Sequence, residues 1–154
     1  LEKSAELSDG GRWIGVHVRL GDYQYIPNMG LAADVYYHRA IRLLRQMGND
    51  EKILVFTDSP ELVRDREIFA TAGDYSVVDS EKSGSPLETM LLMSQASHLV
   101  MANSTFSWWS AWLGKHRKER AVIFPRPWIN LKTWDDRDMH LPGWVGVSRE
   151  SIQS

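Results

Sequence analysis

The chain has 154 residues, a net charge of −2, 43% hydrophobic and 25% charged residues, and no cysteine. A domain of this size buries roughly 68–70% of its unfolded surface, so one real core is expected. The composition excludes disulfides, thiolate chemistry and the usual structural zinc sites, the charge gives no basic footprint for nucleic acid or an anionic membrane, and no apolar run approaches the about 18 residues of a membrane span.

Residues 1–11 read as a lead-in to the first strand, WIGVHVRL (13–20), where valine and isoleucine are enriched and nothing breaks the run. After a loop with Pro27 and Gly30, VYYHRAIRLLRQM (35–47) spaces its apolar residues by three and four, which predicts a helix. KILVF (52–56) is a second strand, and SPELVRDREIF then predicts a helix with Pro60 at its start. YSVV (75–78) is a third strand. Ser85-Pro86-Leu87-Glu88 forms a capping box with proline at the first helical position, opening a helix over 86–96. HLVMA (98–102), FSWWSAWLGKH (106–116) and AVIFP (121–125) predict strand, helix and strand. The rest, 126–154, reads as an irregular segment. The whole is a single α/β domain: a Rossmann-like parallel sheet of about five strands with helices on both faces, joined by right-handed crossovers.

In such a sheet ligands bind beyond the carboxyl ends of the strands. Those ends carry His17, Arg19, Gly21 and Asp22 after strand one, and Thr57 and Asp58 after strand two. Asp79 follows strand three, and Asn103, Ser104 and Thr105 follow strand four. Strand alternation puts His17 and Arg19 on one side and Val16 and Val18 on the other. A guanidinium beside a glycine suits an anionic oxygen; the plainer alternative is an arginine paired to Asp22 in a structural turn. His17 on a buried strand is more often a satisfied core histidine than a catalyst. The knot Asn103-Ser104-Thr105 precedes a helix, so it could seat phosphate on free N–H groups or simply cap the helix. Asp74 and Asp79 could bind a ribose or serve as turn residues. DDRD (135–138) reads as a solvated acidic loop rather than a metal cluster. Trp108, Trp109 and Trp112 read as core or as a surface for a partner lobe or a second copy.

The stretches VHVRLGDY, VYYHRAI, VFTDSP, LLMSQASHLVMANSTFSWWSAWL and VIFPRPW resemble, in order and spacing, the α-1,2-fucosyltransferases of glycosyltransferase family 11. The resemblance covers nearly the whole chain. It implies the nucleotide-binding C-terminal lobe of a two-lobed, GT-B-like enzyme that moves L-fucose from GDP-fucose to a galactose 2-hydroxyl of a glycan, with inversion and without a required metal or other cofactor. On that resemblance, Arg19 would hold the pyrophosphate and stabilise departing GDP, with His17, Gly21 and Asp22 shaping its loop. Asp58 would face the nucleoside or phosphate, and Asn103, Ser104, Thr105 and Phe106 would cradle phosphate. Asp22 is the candidate base for the acceptor hydroxyl.

Three departures from the family pattern stand out. Leu20 replaces a second arginine, Ser59 replaces the second of two acids, and Thr89 stands where an acid is expected beside Glu88. The family's preceding lobe is not among these residues. A non-catalytic GDP-sugar-binding module therefore stays open as an alternative, as does an interaction domain docking through its tryptophans. With no targeting segment at the start, the expected location is cytoplasmic.

Overall fold

The computed structural model describes residues 2–150. Its centre is one all-parallel sheet built from β1 (Trp13–Val18), β2 (Lys52–Thr57), β3 (Tyr75–Val78), β4 (His98–Val100), β5 (Val122–Arg126) and β6 (Val145–Ser148), in the order β3-β2-β1-β4-β5-β6. That is the doubly wound order, in which the strand sequence reverses between β1 and β4 and a crevice opens at their carboxyl ends. The β1–β2 register pairs Trp13 with Lys52 and Val18 with Thr57. It therefore brings the loops after both strands to the same height.

Period-two alternation along the strands divides the core into two layers. Ile14, Val16 and Val18 of β1, with Ile53 and Val55 of β2, meet Tyr36, Ala40 and Leu44 of α2 (Asp34–Gln46) on one face. Trp13, Leu54, Phe56, Leu99 and Phe124 meet α5 (Pro86–Ser94) and α6 (Thr105–Leu113) on the other. Gly15 lies on that second face, where an added Cβ would sit 3.0 Å from Leu99 and 3.1 Å from Ala96, so the chain after α5 packs tightly on β1.

The predicted capping box is formed. Ser85 Oγ accepts from Glu88 N at 3.3 Å, while Glu88 Oε2 accepts from Ser85 N at 2.8 Å. Three expectations need correction. The helix expected from Pro60 is instead a 3-10 turn, Pro60–Leu62, followed by a single helical turn, α3 (Glu67–Ala70). The anchors Val63 and Phe69 are both fully buried. Six residues apart, they would point about 120° away from each other on one straight helix, and Arg66 in extended conformation breaks the run between them. The described part of the lead-in holds a helix, α1 (Glu2–Leu7), tied down by Trp13 Nε1 donating to Ser4 Oγ at 3.1 Å. The segment expected to be irregular contains the sixth strand, β6, paired in parallel with β5; its last four residues, 151–154, lie outside the described region. A four-residue helix, α4 (Ser80–Ser83), links β3 to α5.

Candidate functional site

Arg19 stands just past β1, and three groups hold it. Its Nη2 donates to Asp22 Oδ1 at 2.7 Å, its Nε lies 3.2 Å from Asp58 Oδ2, and its guanidinium carbon sits 5.2 Å from the Tyr23 ring centre. The Nε–Oδ2 approach is an ion pair by distance, but the N–H is not aimed at the oxygen, so the buried Nε keeps no hydrogen-bond partner. Asp58 has a second role: its Oδ1 accepts from Leu20 N at 3.0 Å, which staples the loop after β2 to the loop after β1. Gly21 makes this approach possible, because a Cβ there would collide with the Asp58 carboxylate.

His17, one alternation before Arg19, is 5% exposed, stands 5.6 Å from the Phe106 ring, and leaves its Nδ1 without a partner. Burial, then the Arg19 charge, lowers its pKa to about 4, against a smaller upward pull from Asp58. At neutral pH it is a neutral imidazole, able to accept or donate one hydrogen bond into the cleft without adding charge.

These side chains line one wall of a cleft of about 280 Å³ that reaches from the crevice across the ends of β2 and β3. His17, Arg19, Asp58 and Phe106 form the wall expected from the sequence. The opposite wall was not expected: Val78 at the end of β3, then Ser83 and Gly84 before α5, and Pro86 and Thr89 in its first turns. Thr89 Oγ1 donates to Ser83 Oγ at 2.7 Å and is close to Ser85 O at 3.0 Å, so this wall presents hydroxyls where the family pattern leads one to expect a carboxylate. The capping box was the one local signal for it, since it starts α5 at the ligand-binding edge.

The remaining candidates take other places. Ser104 is the N-cap of α6, its Oγ accepting from Phe106 N at 3.2 Å, and Thr105 is the exposed first helical residue. Asn103 is not brought to the cleft wall. It is 1% exposed and its Nδ2 donates to Met29 O and Gly30 O at 3.1 and 2.9 Å, tying down the loop before α2. The same loop is held from the other side by Arg149, 2% exposed, whose Nη1 donates to Met29 O at 3.0 Å. Leu20 is 5% exposed within the α2-side core, so that position does not face the cleft in this chain.

Asp79 caps α4 and pairs with Arg64 at 3.2 Å, and Asp74 lies at the opposite edge of the sheet, before β3. Within DDRD, Asp135 pairs with Arg137 and Asp136 with Arg126. Trp108 is anchored by Nε1 donating to Met139 O at 2.7 Å, and Trp109 is 48% exposed. The chemistry available at the cleft is therefore a guanidinium held between two carboxylates, a neutral imidazole, a helix start, and an apolar floor of Phe56, Val78 and Phe106.

The profile of glycosyl transferase family 11 matches residues 3–148. The chain is 34% identical to an alpha-1,2-colitosyltransferase of Escherichia coli, over 94% of this chain and 51% of the relative. It is 33% identical to the O-antigen biosynthesis glycosyltransferase WbnK of Escherichia coli, over 80% and 41%. It is 30% identical to galactoside alpha-(1,2)-fucosyltransferase 2 of Rattus norvegicus, over 91% and 41%. The chain thus spans about half the length, or less, of these relatives. The sheet order, the strand-end arginine and the match over nearly every residue converge on one assignment: this chain belongs to glycosyl transferase family 11.

Proposed function

We propose that this chain is the donor-binding lobe of a glycosyltransferase that moves L-fucose from GDP-fucose to the 2-hydroxyl of a terminal galactose, inverting the anomeric centre. The observation that carries the reading is Arg19 at the carboxyl end of β1, braced by Asp22 and Asp58 and sharing its cleft with Phe106 at the start of α6. In the reaction the bond from the sugar anomeric carbon to the β-phosphate oxygen breaks, and the galactose O2 forms the new bond. The electron pair leaves with GDP, and Arg19 and the N–H groups at the start of α6 stabilise the charge gathering on that phosphate.

A phosphate on Arg19 competes with the carboxylates already there. Asp22 is the more exposed partner, 61% against 22% for Asp58. It is released first and becomes the base that takes the acceptor proton. Phe106, partly buried at the cleft, offers a ring face for a guanine base over the buried Phe56 and Val78, with Ser83 and Thr89 at its edge. No metal is needed in this scheme, since Arg19 supplies the cation.

Two observations favour neighbouring readings. The colitosyltransferase relative makes colitose a second candidate sugar. The cleft of about 280 Å³ falls just below the roughly 300–1,000 Å³ of ligand sites, which suits a nucleotide-sugar-binding module whose second wall comes from another lobe. A transfer assay separates these readings, with GDP-fucose or GDP-colitose as donor and lactose as acceptor. Transfer that depends on acceptor and is lost in Arg19→Ala is the expected result. Donor binding with no transfer would leave the binding-module reading, and transfer undiminished in Arg19→Ala would contradict both.

A further inference from the structure

Helices α5 and α6 lie side by side on the sheet. Both start at the cleft and end together at the opposite edge, where a Cβ on Gly114 would press on the Ser94 carbonyl. Their outer faces hold large apolar side chains in water: Leu87 and Leu91 one turn apart on α5, 64% and 44% exposed, and Trp109 and Leu113 one turn apart on α6, 48% and 40% exposed. The Trp109 and Trp112 rings meet edge to face at 5.6 Å, joining the patch along α6.

From α6 the chain passes directly into GKHRKER (114–120), four lysines and arginines with one acid. None of Lys115, Arg117, Lys118 and Arg120 forms an ion pair among the described residues. Lys115 Nζ lies 3.6 Å from the Trp112 ring centre, so the cations begin where the apolar patch ends. Arg117 is shared by two shallow clefts of about 380 and 370 Å³ on this edge, one adding Arg120 and the other Lys118 and Arg12. Burial, with the like charge of Arg117, brings Arg120 down to about 10, so it stays cationic and an anion nearby would relieve a repulsion. The whole-chain charge of −2 averages over this concentration and hides it.

We propose that the outer face of α5 and α6, continued by the 114–120 loop, docks this lobe on an anionic phospholipid bilayer. Trp109, Leu113 and Leu87 enter the boundary between headgroups and acyl chains, and Lys115, Arg117 and Lys118 face the lipid phosphates. Tryptophan and leucine bordered by lysine and arginine is the composition of an interfacial surface. Charge selects the occupant. The 114–120 loop holds four cations against Glu119, a surplus that lipid phosphates neutralise, whereas a second copy brings the same surplus with it. No helix among the described residues is long and apolar enough to cross a membrane.

Flotation with phosphatidylcholine vesicles, with and without phosphatidylglycerol, tests this. The expected result is binding to the anionic vesicles alone, weakened by salt and reduced at least about tenfold in Lys115→Glu/Lys118→Glu. Trp109→Ser should reduce binding while leaving GDP affinity unchanged, which separates this surface from the cleft. Should Trp109→Ser fail to fold, the charge variant, on an exposed loop, still decides. A folded wild-type chain that ignores anionic vesicles, or a charge variant that binds as well as wild type, would overturn the proposal. Concentration-dependent dimerisation in light scattering that Trp109→Ser abolishes would also overturn it, in favour of a second copy.

Discussion

Asp58 does two jobs of unequal weight. Its ion pair with Arg19 joins groups that are 22% and 31% exposed, so water screens it to roughly 0–1 kcal/mol. Its bond from Leu20 N satisfies a backbone donor on a residue only 5% exposed, and an orphaned donor there costs about 1–3 kcal/mol. Asp58→Ala should therefore lower the unfolding free energy by about 1–3 kcal/mol in urea titrations, and Asp58→Asn, which keeps an acceptor, by less. Gly21→Ala should resemble Asp58→Ala, because the new methyl displaces that carboxylate; unchanged stability would mean the staple does not matter. His17 gives a pH signature. Its folded pKa of about 4 lies below the ordinary 6.5, so between those values the unfolded chain takes up a proton that the folded chain refuses. Stability from this group is complete above pH 6.5 and falls as the pH drops towards 4, by on the order of 3 kcal/mol. His17→Gln should lose that part of the slope when unfolding is compared at pH 5 and pH 7.

Helix α5 shows which elements could be read from the sequence. Its start follows from four adjacent residues, and Ser85→Ala should cost about 0.5–2 kcal/mol of stability by removing the cap on Glu88 N. Strands β1, β2 and β4 were legible because their β-rich runs are bounded by turn residues. Two of the three corrected expectations, the helix from Pro60 and the irregular C-terminal segment, have a common source. Val63 and Phe69 are buried by α2-side contacts rather than by a helical repeat of their own, and β6 is a short run behind Pro142-Gly143 that becomes a strand through pairing with β5. At the site the same division holds. Arg19 and His17 could be read from strand alternation, and Asp58 from its place at a strand end. Asn103 could not be placed, because an amide after a strand serves a ligand or a loop equally well, and its partners lie more than 70 residues away. The capping box signalled the start of α5, which carries Thr89, but Ser83 and Gly84 reach the cleft through α4, which no local pattern encodes.

At the scale of the whole molecule, the doubly wound order sets the chemistry. Placing β1 between β2 and β4 brings Arg19, Asp58 and the start of α6 at Thr105 to one edge, although they are separated by up to 86 residues in the chain. On the function proposed above, this edge is a nucleoside-diphosphate site organised by Arg19. Calorimetric titration of the chain and of Arg19→Ala with GDP, GMP, ADP and UDP tests it most directly. GDP should bind tightest, GMP should lose what the second phosphate contributes, and Arg19→Ala should weaken GDP by about 1.5–3 kcal/mol, the range for a hydrogen bond to a charged group. A folded chain that fails to bind GDP, or an Arg19→Ala variant that binds it as tightly as wild type, would contradict the account.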